Sequence, residues 1–240
     1  MREDEYIIPP LRDTLSFPNP RFAPSEGLLA YGGDLNPQRL LSAYRKGIFP
    51  WYNEGDPILW WSPDPRFVLF PKDIKISKSF RRVLRNTSYS VFFDTAFSEV
   101  IEQCSKVPRE GQNGTWLIED MKRAYKELHN MGYAHSVEVY IDGKLAGGLY
   151  GVALGSAFFG ESMFTLKPNG SKIALKALSD VLSENGYDFV DCQVVTEHLR
   201  RMGAIEIDRD EFLDRLDVAM QKPGLYGNWS QLKWEYSDDR

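Results

Sequence analysis

The pattern of apolar and polar positions changes period along this chain of 240 residues, and the change predicts most of its elements. A helix is expected from Pro37, which follows Asn36 and suits a first-turn position; it continues through RLLSAYRKG to a stop at Gly47. Residues 76–86 read as a second helix, capped by Ser77 and ending near Asn86, with further helices over 95–105 and 120–130. From His135 the period falls from 3.6 to 2. Residues 135–141, a turn at Asp142-Gly143, residues 144–154, a turn at Gly155-Ser156 and residues 157–164 read as a three-stranded meander. An amphipathic helix follows over 171–185, its apolar face being Ile173, Ala174, Ala177, Leu178, Val181 and Leu182. A buried strand over 189–195 and a last helix over 210–220 complete the series. Antiparallel strands, then a helix, then a further strand predict an α+β, mixed-sheet domain over 67–240.

Periodicity is weakest before that domain. Eleven of the 14 prolines and three of the six tryptophans fall within residues 9–71. The segment reads as too irregular for a sheet and too aromatic for a linker, so a small loop-rich domain packed by aromatics is expected over 1–66.

Composition narrows the classes. The chain is 26% charged and 42% hydrophobic with a formal charge of −5, which suits a soluble protein of one large or two unequal domains and argues against a generally basic nucleic-acid binder. Cys104 and Cys192 are too few for a disulfide scaffold, and no paired Cys/His spacing suggests a metal. The start, MREDEYIIPP, has no apolar signal region, and the longest uncharged run, 145–160, is too short and glycine-rich to span a bilayer. A cytoplasmic protein without a membrane partner is expected. GxGxxG after a strand, GxxxxGK[ST], HExxH and GxSxG are all missing, which removes most support for dinucleotide, ATP-driven and metalloprotease chemistry.

Three features remain. Lys78, Arg81, Arg82 and Arg85 share one helix face, extended by Lys72 and Lys75, with only Asp73 acidic between 71 and 86. With no carboxylate spaced to pair with them, phosphate binding and a solvated face stand about equal. Trp60 and Trp61 read as core packing, whereas Trp51 and Trp116 are open to stacking on a base. Finally, strand carboxylates Glu161 and Asp191 sit among apolar residues, where a charge must be paired, exposed or functional. Alternation puts Glu161 and Met163 on one face, and Asp191 with Gln193 on one face opposite Cys192. Cys192, for which His135 or His198 is the nominal base, reads as an inert core thiol.

Several longer strings carry a family resemblance: Glu26-Gly27-Leu28-Leu29-Ala30, Gly32-Gly33-Asp34-Leu35, Tyr44-Arg45-Lys46-Gly47-Ile48-Phe49-Pro50-Trp51 and Trp60-Trp61-Ser62-Pro63-Asp64-Pro65-Arg66. Gly114-Thr115-Trp116, His135-Ser136-Val137-Glu138, Gly160-Glu161-Ser162-Met163-Phe164 and Asp191-Cys192-Gln193 continue the series in order. The chain resembles the leucyl/phenylalanyl-tRNA–protein transferase family. The resemblance implies a bacterial enzyme, working as a monomer, that moves Leu or Phe from aminoacyl-tRNA onto the N-terminal amine of a protein beginning with Lys or Arg, creating an N-degron. It also implies an acyl-CoA N-acyltransferase-like larger domain. Thr165–Lys172 (TLKPNGSK) lacks the [RQ]xxGx[GA] loop that acetyl-CoA members need, and an activated ester calls for no cofactor. By resemblance, Trp51 and Trp116 hold the terminal adenosine, and Lys78, Arg81, Arg82 and Arg85 meet the tRNA backbone. The amino-acid pocket is then drawn from Leu149, Phe158, Met163, Leu175, Leu178 and Leu182. Asp191, with Glu161 and Gln193 beside it, either accepts the proton of the attacking amine or only orients it. An acyltransferase with another donor and a non-catalytic tRNA- or peptide-binding module are the competing readings.

Overall fold

The proline-rich beginning of the chain does form a sheet. The computed structural model describes residues 7–12, 14–107 and 117–238. Strands β1 (Pro10–Leu11), β2 (Leu28–Gly32), β3 (Phe49–Pro50) and β4 (Leu59–Trp61) pair in the order β1-β2-β4-β3. This corrects the expectation that the segment is too irregular for one. The strands are two to five residues long, too short for alternation to show, and β2 pairs with segments about 20 and 30 residues away. Helix α1 (Pro37–Tyr44) lies between β2 and β3 in the chain, with the Asn36 side chain accepting from the Gln38 amide as its cap. Trp60 is wholly buried and donates its indole N–H to the Gly32 carbonyl at 2.9 Å; Trp61 donates to the Trp51 carbonyl at 2.7 Å. Both act in packing, as their setting predicted.

The main sheet is built from β5 (Arg66–Leu69), β6 (Tyr89–Phe93), β7 (Ala134–Ile141), β8 (Lys144–Leu154), β9 (Ala157–Thr165), β10 (Phe189–Gln193) and β11 (Ile205–Ile207). Its order is β11-β5-β10-β9-β8-β7-β6. The β7–β8–β9 meander lies where alternation placed it. The short strands β5, β6 and β11 were not read from the sequence, because three to five residues carry too few alternations. Helices α2 (Lys78–Asn86), α3 (Phe97–Ser105), α4 (Glu119–Asn130), α5 (Gly170–Glu184), α6 (Glu197–Arg201) and α7 (Arg209–Ala219) surround the sheet. None of the described helices is long and apolar enough to cross a membrane.

Successive strand residues divide between two cores, one on each face. Tyr150, Phe159 and Phe189 enter the core that holds Tyr44 of α1, Phe97 of α3, Tyr125 of α4 and Phe212 of α7. Leu149, Phe158 and Val190, their neighbours in sequence, enter the core of α5, Phe80 of α2, Trp229 and Trp234. The first core also contains Phe17, Leu29 and Trp60, so the small sheet packs into the same apolar mass. The start of α5 lies directly on β8: a Cβ on Gly170 would stand 2.3 Å from the Ala146 carbonyl oxygen, so only glycine allows the approach.

All neighbouring strands of the main sheet are antiparallel except β9 and β10, which are parallel and joined through α5. Their pairing is brief, Phe189–Asp191 against Ala157–Phe159. β9 then continues to Thr165, whereas β10 ends at Gln193, whose φ of 64° turns the chain out of the strand. The strand expected to reach 195 thus stops two residues short. β9 also carries a bulge: Gly151 pairs with Gly160 and Tyr150 with Ser162, leaving Glu161 as the extra residue. The parting of these two strands opens the main cavity.

Candidate active site

A cavity of about 650 Å³ fills the gap between β9, β10 and α5, closed on one side by Phe49, Pro50 and Trp51. Leu149, Phe158, Met163, Leu175 and Leu178, five of the six residues proposed for the amino-acid pocket, line it. Leu182 does not. It is fully buried about one helical turn, roughly 6 Å, beyond Leu178 on the same face of α5, within the core. Trp51 forms part of the wall, its ring 5.9 Å from that of Trp61. Trp116, its expected partner, lies outside the described residues. Cys192 faces the cavity, but burial raises its thiol far above the ordinary cysteine range, so no thiolate nucleophile is available.

The bulge changes the face on which Met163 lies. Glu161 and Met163 were expected to share one side, yet the extra residue shifts the alternation: Met163 packs toward the α5 core, while Glu161 meets tyrosines of the opposite core. The hydroxyls of Tyr44 and Tyr125 donate to Oε1 and Oε2 of Glu161, each at 2.7 Å, and lie 2.6 Å from each other. The Gln193 side-chain amide donates to Oε1 at 2.8 Å. Burial pushes the Glu161 carboxyl up to about 7, against the opposing pull of these three donors. Both tyrosines are raised above the phenol range, first by burial and then by the Glu161 charge, and so remain protonated donors.

Asp191 is placed otherwise than expected. It has no exposed surface and does not line the cavity. Its Oδ1 accepts from Arg66 Nε at 2.8 Å and from the Gln193 backbone N–H at 2.9 Å, while Oδ2 accepts from Arg66 Nη2 at 2.6 Å. Arg66 is itself 1% exposed, its guanidinium 4.8 Å and 4.5 Å from the centroids of Phe49 and Phe212. Both carboxylate oxygens are thus engaged within the protein, and Asp191 lies behind the cavity wall and not in it. The left-handed turn at Gln193 is the reason: Asp191 and Gln193 no longer share a face, and only Gln193 enters the cavity.

These groups form one chain of contacts, Arg66 to Asp191 to Gln193 to Glu161 to Tyr44 and Tyr125. Arg66, Tyr44 and Tyr125 were not singled out as site residues from the sequence. Arg66 and Tyr44 do stand in strings that carry the family resemblance, and Arg66 is also a charge heading the apolar run Phe67-Val68-Leu69; Tyr125, on a helix distant in sequence, offered no signal.

Lys78, Arg81, Arg82 and Arg85 do project together from α2 and line a shallow groove with Ile76 and Asn86. One part of the expectation needs correcting. The tail brings a carboxylate that helix spacing could not reveal: Arg85 Nη2 pairs with Asp238 at 2.5 Å. Among the described residues no group of three or more His, Cys, Asp or Glu is arranged to hold a metal ion.

Comparison with known proteins agrees in identity and extent. Residues 68–217 match the family model "Leucyl/phenylalanyl-tRNA protein transferase", and residues 33–64 match the model of that family's N-terminal domain. A leucyl/phenylalanyl-tRNA–protein transferase from Myxococcus xanthus is 53% identical over 215 residues, covering 90% of this chain and 92% of its own. One from Syntrophobacter fumaroxidans is 57% identical over 206 residues, covering 86% and 88%. Among solved structures, a GCN5-related N-acetyltransferase from Kribbella flavida is matched with 9% identity and a TM-score of 0.37, over 69% of this chain and 59% of that one. With one family model matching most of its length and full-length relatives above 50% identity, the chain belongs to the leucyl/phenylalanyl-tRNA–protein transferase family.

Proposed function

We propose that this enzyme transfers Leu or Phe from aminoacyl-tRNA to the α-amine of a protein beginning with Lys or Arg, acting as a monomer in the bacterial cytoplasm and marking its acceptor for degradation. One observation carries the reading: among the described residues, one carboxylate lines an apolar cavity, and burial holds it near neutrality. An apolar aminoacyl side chain suits the walls formed by Leu149, Phe158, Met163, Leu175 and Leu178, and Trp51 offers a face on which the terminal adenine stacks.

The chemistry follows from the donors. The acceptor amine forms a C–N bond to the ester carbonyl carbon, and the C–O bond to the ribose breaks. An α-ammonium ionises near ~8, about one unit above Glu161, so proton transfer to that carboxylate is nearly balanced. Tyr44, Tyr125 and Gln193 occupy three of its acceptor positions and leave room on Oε2 for the amine. Two protons leave the ammonium nitrogen in all: one passes to the leaving ribose oxygen and the other to solvent, which resets Glu161. Asp191 acts through Gln193: by accepting the Gln193 backbone N–H, it holds the turn from which that side chain reaches Glu161. Because the ester is already activated, no cofactor enters the reaction.

The direct test incubates the protein with leucyl- or phenylalanyl-tRNA and a peptide beginning with Arg. Mass spectrometry is expected to show a gain of one Leu or Phe residue, and no gain from either donor overturns the proposal. The α2 face is tested separately. Arg82→Ala is expected to lower the slope of log affinity against log salt for tRNA by about 1, as loss of one phosphate contact does. Arg85→Ala is expected to change it less, because Arg85 already has Asp238 as its counterion. Equal slopes for wild type and Arg82→Ala would remove this face from the RNA interface.

A further inference from the structure

We propose that a groove adjoining the cavity is a second RNA subsite, which holds the phosphodiester between the last two nucleotides of aminoacyl-tRNA on His198 and Lys106. The inference rests on the function proposed above and adds a site to it.

The groove has a volume of about 400 Å³ and shares Val107, Met163 and His198 with the walls of the main cavity, so the two spaces meet at these residues. His198, on α6, therefore stands between them. Its Nε2 is buried and has no hydrogen-bond partner, an arrangement whose cost is relieved when a ligand supplies one. Three polar side chains of the cavity wall are engaged within the protein: Glu161 by three donors, the Gln193 amide by Glu161, and the Thr196 hydroxyl by the Leu199 amide. His198 is the wall residue with a buried nitrogen left to offer.

Charge selects the occupant. Lys106 lines the groove and is exposed, and no carboxylate lines it among the described residues. Lys172 and Arg201 act on His198 from α5 and α6; with burial as the larger cause, they lower its ionisation and keep the imidazole neutral. A neutral imidazole with Nε2 protonated donates one hydrogen bond, and cations nearby favour a phosphate as its acceptor. The same cations repel the N-terminal Lys or Arg of an acceptor protein. A donor whose aminoacyl group and terminal nucleoside fill the main cavity must carry its chain out through an opening, and the groove at His198 is one lined for an anion.

The test compares two donors, leucyl-tRNA and leucyl-adenosine, the second having no phosphodiester. His198→Ala and Lys106→Ala are each expected to lower kcat/KM for leucyl-tRNA roughly tenfold, the worth of one hydrogen bond to a charged group, mainly through KM. With leucyl-adenosine Lys106→Ala, whose residue lines the groove and not the main cavity, is expected to stay within about twofold of wild type. His198→Gln, which keeps an N–H donor, is expected to recover part of the loss. Equal losses of Lys106→Ala with both donors, or no loss with leucyl-tRNA, overturn the subsite. A rise in KM for the acceptor peptide assigns the groove to the acceptor and overturns it as well. Lys106 is on the surface, so its variant remains decisive if His198→Ala folds poorly. If the wild type transfers leucine from neither donor, the proposed function itself fails; if it transfers and the variants match it, only the subsite does.

Discussion

Replacing Arg66 by methionine is expected to lower the unfolding free energy by about 3–5 kcal/mol, the usual result of leaving one partner of a buried ion pair alone. Asp191 has no exposed surface, and both its oxygens accept from Arg66. Without the guanidinium, a carboxylate is left in a core formed by Phe49, Phe159 and Phe212, with only the Gln193 amide to satisfy it. Urea denaturation at pH 7 measures the loss. The double variant Arg66→Met/Asp191→Leu is expected to recover most of it, because two apolar side chains replace the pair and no charge remains buried. Its transfer activity is expected to stay low, since Gln193 has then lost the acceptor that holds its turn. A single variant as stable as the wild type would show that the pair does not hold this part of the fold.

Glu161→Gln is expected to reduce transfer by 10²- to 10⁴-fold (order of magnitude), the contribution of a positioned general base. The wild-type rate is expected to rise with pH through about 7 as Glu161 gives up its proton. The variant should lose that inflection and keep only the rise near ~8 that belongs to the acceptor amine. An unchanged inflection near 7 in the variant would assign the base elsewhere. Stability moves the other way. The carboxyl ionises at about 7 when folded against 4.5 for an ordinary glutamate, so between those values the folded state holds a proton that the unfolded state releases. Stability therefore falls as pH rises across that window, by about 3 kcal/mol in all, and is lower by that amount above pH 7. Glutamine carries no such proton; its oxygen still accepts from Tyr44 and Gln193, and its amide donates to Tyr125, whose hydroxyl then turns to donate to Tyr44, 2.6 Å away. Chemical denaturation at pH 5 and pH 8 is expected to show a smaller decline for Glu161→Gln than for the wild type, so that the less active protein is the more stable one at high pH.

Much of this site was legible beforehand. The motif residues Glu161, Gln193 and Trp51 do meet at one cavity, and five of the six leucine, phenylalanine and methionine positions line it. Leu182 fails because helical periodicity names a face and not the depth along it. What alternation could not show was a break in alternation. One extra residue at Glu161 and one left-handed residue at Gln193 reverse the sides on which Met163 and Gln193 lie, and neither leaves a mark in the order of apolar and polar residues. The small sheet was missed for a related reason, since strands as short as Phe49–Pro50 have no period to read.

By itself the sequence determined the longer elements, the mixed α+β class, the cationic face of α2 and most of the side chains that meet at the cavity. These depend on local spacing and on side-chain type, which a linear chain states directly. Only the tertiary structure decided how those residues divide the work. Asp191 became a buried partner of Arg66, 125 residues away, and Glu161 became the carboxylate of the cavity, held by tyrosines from α1 and α4. The two carboxylates sit among similar apolar neighbours in the sequence. What separates them is which distant donors the fold brings within hydrogen-bonding reach: a cation that commits both oxygens of one, and neutral hydroxyls and an amide that leave the other near 7.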